Sequence, residues 1–303
     1  MEYLDHNGTG ISTIGIGCMR IAQLSEKETS DFIHEALDEG INFFDHADLY
    51  GKGECERIFG AVLQKEPELR NRMFLQSKCA IHDGMYDFSK EYILKSVDGI
   101  LERLRTDHLD SLLLHRPDVL MEPEEVNEAF QELKQAGKVL SFGVSNMNRF
   151  QMELLSSGIV ERLWADQLQL SLAHTPLIDE GIHVNMHNDA SVVRSSGTLE
   201  YLHQHRMTLQ VWSPLQKGFF EGIFLNDPEY KELNDLLEQL GEKYQAGKDA
   251  VAYAWLLRLP QKVQVILGTA KKERLAGAAK AADIHLTRKE WYDLYKAAGN
   301  KLP

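Results

Sequence analysis

The sequence contains few cysteines and no long apolar run, and each shortage excludes a class of protein. Its three cysteines, Cys18, Cys55 and Cys79, are too few and too widely spaced for a disulfide framework or a CxxC zinc site. No run of about eighteen apolar residues occurs, so no transmembrane helix is expected. The first residues have no basic segment followed by an apolar one, so no signal peptide is expected. We therefore expect a protein of the reducing cytoplasm.

Positive charge is also scarce. The chain has 33 Lys and Arg residues against 46 Asp and Glu residues, which gives a net charge of −13. Nucleic acids and anionic membranes are therefore disfavoured as partners, because a negative protein is repelled by negative polymers and surfaces. The 303 residues are 43% hydrophobic, enough for a large core. Because α/β barrels often reach this length as one domain, we expect residues 1–303 to form a single domain.

Apolar segments of strand length alternate with amphipathic segments of helix length along the whole chain. Strands are predicted at 14–18, 41–45, 73–77, 109–114, 140–144, 164–168, 209–212 and 263–267. Helices are predicted at 25–39, 54–63, 89–104, 124–136, 148–156, 197–205, 229–244, 248–258, 271–280 and 287–298. This alternation predicts an α/β protein built as a single (β/α)8 TIM barrel, with a C-terminal helix.

Local signals add detail to this pattern. Asn7-Gly8-Thr9-Gly10 predicts the turn of an N-terminal β-hairpin. Ser25 and Glu28 form a capping-box signature for the first helix, and Gly40 suits its C-terminus. The segment 173–197 is long and polar and lacks a periodic apolar face, so it predicts an extended loop on the open face of the barrel.

Four proton-active side chains lie at or just beyond the carboxyl ends of three predicted strands. Asp45 is the last residue of the strand at 41–45 and Tyr50 lies just beyond it, while Lys78 follows the strand at 73–77 and His115 follows the strand at 109–114. In a parallel barrel these ends converge on one face, where catalytic groups are found. We therefore expect the four side chains to lie close together.

Each of these residues has an ordinary structural explanation when it is taken alone. An isolated tyrosine usually packs, an aspartate after a strand usually caps a turn, and a histidine beside apolar residues is usually a core residue. The combination is more informative. A tyrosine can act as a general acid near neutral pH if a nearby ammonium lowers its pKa, and a carboxylate can hold that ammonium in place. A neutral histidine can then orient a carbonyl substrate.

Short motifs are spread along nearly the whole chain. They are Asp45–Gly51 (DHADLYG), Ser77-Lys78, Leu114-His115-Arg116-Pro117, Gly143-Val144-Ser145-Asn146, Gln167, Ser213-Pro214-Leu215 and Gly268-Thr269 through Arg274. These motifs are similar to those of the aldo-keto reductase superfamily, and among its branches the chain is most similar to the bacterial oxidoreductases that carry DHADxYG, SKC and HRPD at these positions. The resemblance implies NADP(H)-dependent carbonyl reduction without a metal, with NAD(H) as a possible cofactor.

The resemblance also implies roles for the four ionisable residues. Tyr50 would donate the proton to the carbonyl oxygen while nicotinamide C4 supplies hydride to the carbonyl carbon. Lys78 would lower the tyrosine pKa, Asp45 would pair with Lys78, and His115 would position the carbonyl.

A second set of residues matches the positions at which the superfamily holds its cofactor. Ser145, Asn146 and Gln167 would bind the nicotinamide carboxamide, and Trp212 would stack on the ring. Leu215, Lys217 and Gly218 lie in a loop that resembles the superfamily's clasp for the pyrophosphate. Gly268 and Thr269 precede a predicted helix whose N-terminal amides favour an anion. Arg274 would bind the adenosine 2′-phosphate, where a planar guanidinium suits bidentate binding, and Lys271 is either a further phosphate ligand or a solvated residue at the helix start. The other residues implied to contact the cofactor are Gly17, Cys18, Met19, Ser213 and Pro214. Leu267, Gly277 and Ala278 stand where relatives often carry proline and adenine-binding residues, which weakens the prediction of adenine contacts.

Two other functions remain open at this stage. One is a cofactor-binding regulatory or sensor subunit on the same barrel, with little turnover. The other is a metal-dependent barrel hydrolase, for which the sequence offers no His/Asp ligand cluster at the strand ends. The expected substrate is a small carbonyl or alcohol compound. The mixed loops 18–24, 80–88, 116–122, 173–197 and 216–226 predict a roomy, partly aromatic pocket without a strong preference for charge. A monomer or weak homo-oligomer is the default that the resemblance implies.

Overall fold

A computed structural model describes residues 1–302 as a closed barrel of eight parallel strands surrounded by helices. The strands are β1 (Tyr3–His6), β2 (Thr9–Ser12), β3 (Ile14–Gly17), β4 (Phe43–Asp45), β5 (Phe74–Cys79), β6 (Ile81–His82), β7 (Met85–Tyr86), β8 (Ser111–Leu114), β9 (Phe142–Ser145), β10 (Leu163–Gln169), β11 (Thr208–Trp212) and β12 (Val263–Leu267). The barrel order is β3-β4-β5-β8-β9-β10-β11-β12, and β12 pairs with β3 to close the ring. The predicted (β/α)8 barrel is confirmed.

Helices connect the barrel strands. They are α1 (Glu26–Asp38), α2 (Glu54–Lys65), α3 (Lys90–Leu104), α4 (Pro123–Gln135), α5 (Arg149–Gly158), α6 (Pro176–Ile182), α7 (Thr198–Gln204), α8 (Lys231–Tyr244), α9 (Lys248–Leu257), α10 (Leu275–Ala279) and α11 (Arg288–Ala297). The predicted capping box is present at the start of α1, where Ser25 and Glu28 each accept a hydrogen bond from the backbone of the other. Gly40 adopts a φ of 78° directly after that helix, a conformation that favours glycine.

The N-terminal hairpin closes the amino-terminal end of the barrel. Asn7 and Gly8 form its turn with φ values of 53° and 84°, as a tight two-residue hairpin turn requires. The ring of His6 lies 4.5 Å from that of Trp164 and 5.4 Å from that of Phe74. The hairpin and these aromatic rings therefore close the amino-terminal end of the barrel. The carboxyl ends of the strands form the open face.

The segment 173–197 differs from the expected extended loop. It contains α6 and a short 3-10 turn, Asp189–Ser191. The carboxylate of Glu180 accepts hydrogen bonds from the backbone amides of Arg194, Ser195 and Gly197 at 3.0, 2.8 and 2.6 Å. The segment is thus folded back on itself, because one buried carboxylate satisfies three of its amides.

Two further segments differ from the sequence-based expectation. The predicted helix at 271–280 is divided into a 3-10 turn, Lys272–Arg274, then α10, then a second 3-10 turn, Lys280–Asp283. The segment 80–88 contains the small hairpin formed by β6 and β7, whose turn at Asp83 and Gly84 has positive φ values. The mixed sequence of that hairpin gives no alternating pattern long enough to predict a strand.

Candidate active site

Lys78 lies at the centre of a compact cluster at the open face. Its Nζ is 2.7 Å from Oδ2 of Asp45, 2.8 Å from the carbonyl oxygen of His46 and 3.3 Å from the hydroxyl of Tyr50. Lys78 is fully buried and Asp45 is 2% exposed. The ring of His115 packs edge-on against that of Tyr50, with the centroids 6.0 Å apart. The structure therefore brings together all four ionisable residues that the sequence placed at strand ends.

Burial and charge set the protonation states of this cluster. Burial raises the pKa of Tyr50, and the Lys78 ammonium opposes that rise only in part. The pKa of Tyr50 is therefore raised, whereas the sequence-based expectation was that Lys78 lowers it. The phenol is protonated at neutral pH. Burial alone would lower the pKa of Lys78, but Asp45 and Tyr50 outweigh it and raise that pKa.

His115 is held in its neutral form. Burial lowers the pKa of His115 well below its usual value, and the positive charges of Lys78 and Arg116 lower it further. Its Nδ1 atom is buried and has no hydrogen-bond partner within residues 1–302. A neutral imidazole beside a protonated phenol can direct hydrogen bonds at a carbonyl oxygen without adding a second cation.

A chain of polar side chains extends from the cluster across the mouth of the barrel. The side-chain amide of Asn146 donates to Oγ of Ser145 at 2.7 Å, and Trp212 Nε1 donates to Oδ1 of Asn146 at 3.2 Å. Ser145 in turn donates to the carbonyl oxygen of Gln167 at 3.0 Å. Asn146 and Ser213 both have positive φ values, 58° and 52°. These contacts bring together Ser145, Asn146, Gln167 and Trp212 as the sequence predicted.

A network of buried glutamines lies beneath this layer, and the sequence analysis did not predict it. Gln76 Nε2 donates to Oδ1 of Asp45 at 2.7 Å and to Oε1 of Gln210 at 2.9 Å. Gln167 also donates to Oε1 of Gln210, at 3.1 Å, and Gln210 donates to Gln264 at 2.9 Å. The network joins the Asp45 carboxylate to the residue predicted to hold the nicotinamide.

The other predicted cofactor residues occupy a range of environments around the open face. Gly17 ends β3, Cys18 is fully buried behind it, and Met19 is 41% exposed. Pro214, Leu215 and Gly218 lie in the segment after β11, where the Gly218 carbonyl accepts a hydrogen bond from Gln169 at 2.9 Å. Gly268, Thr269, Lys271 and Arg274 follow β12, and the Thr269 hydroxyl accepts a hydrogen bond from the Lys271 amide at 3.1 Å.

Lys217 is held by acidic side chains. Its Nζ lies 2.8 Å from Oδ2 of Asp227 and 3.4 Å from Oε2 of Glu229. By contrast, Arg274 makes no salt bridge within residues 1–302 and is exposed. Of these two predicted phosphate ligands, Arg274 is the one whose positive charge is available to an anion.

Two general features of the described chain bear on the class of protein. Within residues 1–302 no helix is both long enough and apolar enough to cross a membrane. In the same part of the chain no three His, Cys, Asp or Glu side chains are grouped in a way that could hold a metal ion.

Comparison with known proteins identifies the family. The Aldo/keto reductase family model matches residues 13–298. The chain belongs to the aldo/keto reductase family. It is therefore an NAD(P)H-dependent oxidoreductase, as the motifs implied.

Similar proteins cover nearly the whole chain. Oxidoreductase YdhF of Escherichia coli (strain K12) is 39% identical over 284 residues, which span 91% of this chain and 89% of that protein. A 6-dehydroglucose reductase of Agrobacterium fabrum is 34% identical over 305 residues, 96% of this chain and 95% of that protein. A crystal structure of an aldo/keto reductase from Klebsiella pneumoniae in complex with NADP and acetate superimposes with a TM-score of 0.74 at 23% identity, covering 95% and 92% of the two chains.

Proposed function

We propose that the protein reduces aldehydes or ketones to alcohols with NADP(H), or runs the reverse reaction, and that Tyr50 supplies the proton. The observation that carries the proposal is the position of Lys78 Nζ, which contacts both the Asp45 carboxylate and the Tyr50 hydroxyl inside a buried site. The solved structure of a family member with NADP supports the choice of cofactor. The three cysteines are free and buried, in keeping with a reducing cytoplasm.

The residues at the mouth of the barrel fit a nicotinamide. Oε1 of Gln167 accepts no hydrogen bond within residues 1–302, although its amide group is held by Gln210. A carboxamide could therefore donate to Gln167 beside Ser145 and Asn146, and one face of the Trp212 indole is suited to stacking on a flat ring. Arg274, with no acidic partner, would bind the 2′-phosphate through paired hydrogen bonds. The bound dinucleotide supplies the hydride that reaches the carbonyl carbon.

Side chains of the protein position the carbonyl oxygen and transfer the proton to it. The His115 imidazole donates a hydrogen bond to the carbonyl oxygen and holds it near the Tyr50 hydroxyl. As the oxygen gains negative charge, Tyr50 transfers its proton to it and becomes a phenolate. Lys78 stabilises that phenolate across the 3.3 Å contact, and Asp45 keeps the ammonium in place. Solvent then restores the proton on Tyr50.

The test is NADPH oxidation with an aromatic aldehyde or a quinone, followed by the absorbance of NADPH, in wild type and Tyr50→Phe. Tyr292→Phe is the matched control, because Tyr292 lies on α11 against Trp291. We expect turnover to fall by about a hundredfold or more in Tyr50→Phe and to be unchanged in the control. Equal turnover in all three proteins would overturn the mechanism. NADPH binding without turnover of any carbonyl would instead favour the regulatory role.

A further inference from the structure

Arg116 immediately follows His115 and reaches over the aromatic residues at the mouth of the barrel. Its guanidinium carbon lies 6.0 Å from the ring centre of Trp212 and 5.9 Å from that of Phe219. The two rings are themselves edge to face at 6.1 Å. The cation thus lies beside the site in which a carbonyl compound would meet Tyr50 and His115.

The charge of Arg116 has no counter-ion in the described chain. Within residues 1–302 Arg116 forms neither a salt bridge nor a side-chain hydrogen bond, although it is partly buried. Asp118 is the acidic residue nearest in sequence, but its carboxylate is already used. Oδ2 of Asp118 accepts a hydrogen bond from the Phe88 amide at 2.9 Å, and Oδ1 accepts one from the Leu120 amide at 2.8 Å.

Arg149 differs from Arg116 because it has a carboxylate partner. Arg149 also packs against an aromatic ring, that of Phe150, but its Nε lies 3.2 Å from Oε1 of Glu153. The guanidinium of Arg116 is only partly buried, so its N–H donors keep contact with water and can exchange that water for the oxygen atoms of an anion. In a protein with a net charge of −13, a cation without an acidic partner beside the reaction site provides local positive charge for a negatively charged ligand.

We propose that Arg116 determines substrate specificity by binding an anionic group, a carboxylate in particular, on the carbonyl substrate. The guanidinium lies near the rings of Trp212 and Phe219 and makes no side-chain hydrogen bond within residues 1–302, so its planar set of N–H donors is available to the two oxygens of a carboxylate. This inference rests on the proposed carbonyl reduction and refines it. It differs from the sequence-based expectation of a pocket indifferent to charge, because loop composition does not reveal which charges are paired.

The test compares 4-carboxybenzaldehyde with its uncharged methyl ester, methyl 4-formylbenzoate, in wild type, Arg116→Gln and Arg149→Gln. We expect wild type to prefer the carboxylate in kcat/KM by about tenfold to a hundredfold, the effect of a charge-assisted hydrogen bond. Arg116→Gln should lose that preference through a fall on the carboxylate alone. Arg149→Gln should behave as wild type, and the Kd for NADPH should be the same in all three proteins.

Two results would overturn the proposal. One is a wild-type enzyme that treats the two aldehydes alike. The other is an Arg116→Gln variant that loses activity on both aldehydes and binds NADPH more weakly, which would assign Arg116 to the cofactor. If wild type reduced neither aldehyde, the proposed reaction would fail on its own. Binding of 4-carboxybenzaldehyde, titrated by protein fluorescence in wild type and Arg116→Gln, would still decide for or against the anion site.

Discussion

Gln76 donates a hydrogen bond to Oδ1 of Asp45 at 2.7 Å, while Lys78 occupies the other oxygen, Oδ2, at the same distance. Each oxygen of the carboxylate therefore has its own partner, and the carboxylate cannot rotate without breaking one of the two bonds. In the proposed mechanism Gln76 is a positioning residue, because it would act on the proposed proton donor, Tyr50, through Asp45 and Lys78.

The substitution Gln76→Leu removes the donor to Asp45. We expect kcat to fall by about tenfold, the equivalent of roughly 1.4 kcal/mol, while the Kd for NADPH is unchanged. Gln264→Leu is the matched control, because it removes a glutamine from the same network without removing a donor to Asp45. Both variants should lose thermal stability, since each leaves buried amides unpaired. A kcat loss of the same size in both would mean that the network acts through stability alone.

The burial of Asp48 is expected to make the free energy of unfolding depend on pH. Its Oδ1 atom is buried without a hydrogen-bond partner, and burial together with the Glu56 carboxylate raises the pKa of Asp48 from 3.8 to about 7. The folded state therefore holds a proton that the unfolded chain releases above about pH 4. The stability that this group contributes at low pH is lost as the pH rises through 7.

Asp48→Asn imitates the protonated acid at every pH. In urea unfolding, its stability relative to wild type should increase by about 2–3 kcal/mol between pH 5 and pH 8, from about 1.4 kcal/mol per pKa unit. Asp235→Asn removes a carboxylate from an exposed pair with Lys231 and should show no such pH dependence. A difference from wild type that is the same at pH 5 and pH 8 would contradict the assigned pKa.

Arg274 is expected to determine the preference for NADPH over NADH. Arg274→Ala should raise the Kd for NADPH by about tenfold and leave that for NADH unchanged, because only NADPH carries the 2′-phosphate. Binding can be followed by quenching of protein fluorescence, with Arg288→Ala, an exposed arginine at the start of α11, as the control. Equal weakening of both dinucleotides would place Arg274 at another part of the cofactor.

The sequence predicted the barrel and the positions of the four ionisable residues, because both follow from local patterns. A short apolar strand is recognisable on its own, and the residue after it must lie on the open face. The glutamine network is not local. Gln76 and Gln210 are 134 residues apart in sequence, and a glutamine within a strand is usually read as facing solvent. Only closure of the barrel turns both side chains towards each other.

The polar loops were predicted less well, for a related reason. The helix α6 has seven residues, too few for a periodic apolar face. Nothing near Glu180 in the sequence indicates that its carboxylate would accept hydrogen bonds from backbone amides in the segment 194–197. Likewise, the sequence presents Lys217 as a free charge, and only the fold brings Asp227 and Glu229 to it. Sequence patterns predict which residues carry charge but seldom which charges neutralise one another.

Closure of the barrel also has a consequence for synthesis of the protein on the ribosome. Gln264 Nε2 donates to the carbonyl oxygen of Ser12 at 2.7 Å, a contact between residues 252 positions apart, and β12 pairs with β3 beside it. The nascent chain therefore carries β3 with one unpaired edge until its last barrel strand emerges. Open strand edges attract other chains, so a stalled chain that ends before residue 263 should aggregate or engage chaperones. Release of the last strand is the moment at which the nascent chain can become a closed, independent molecule.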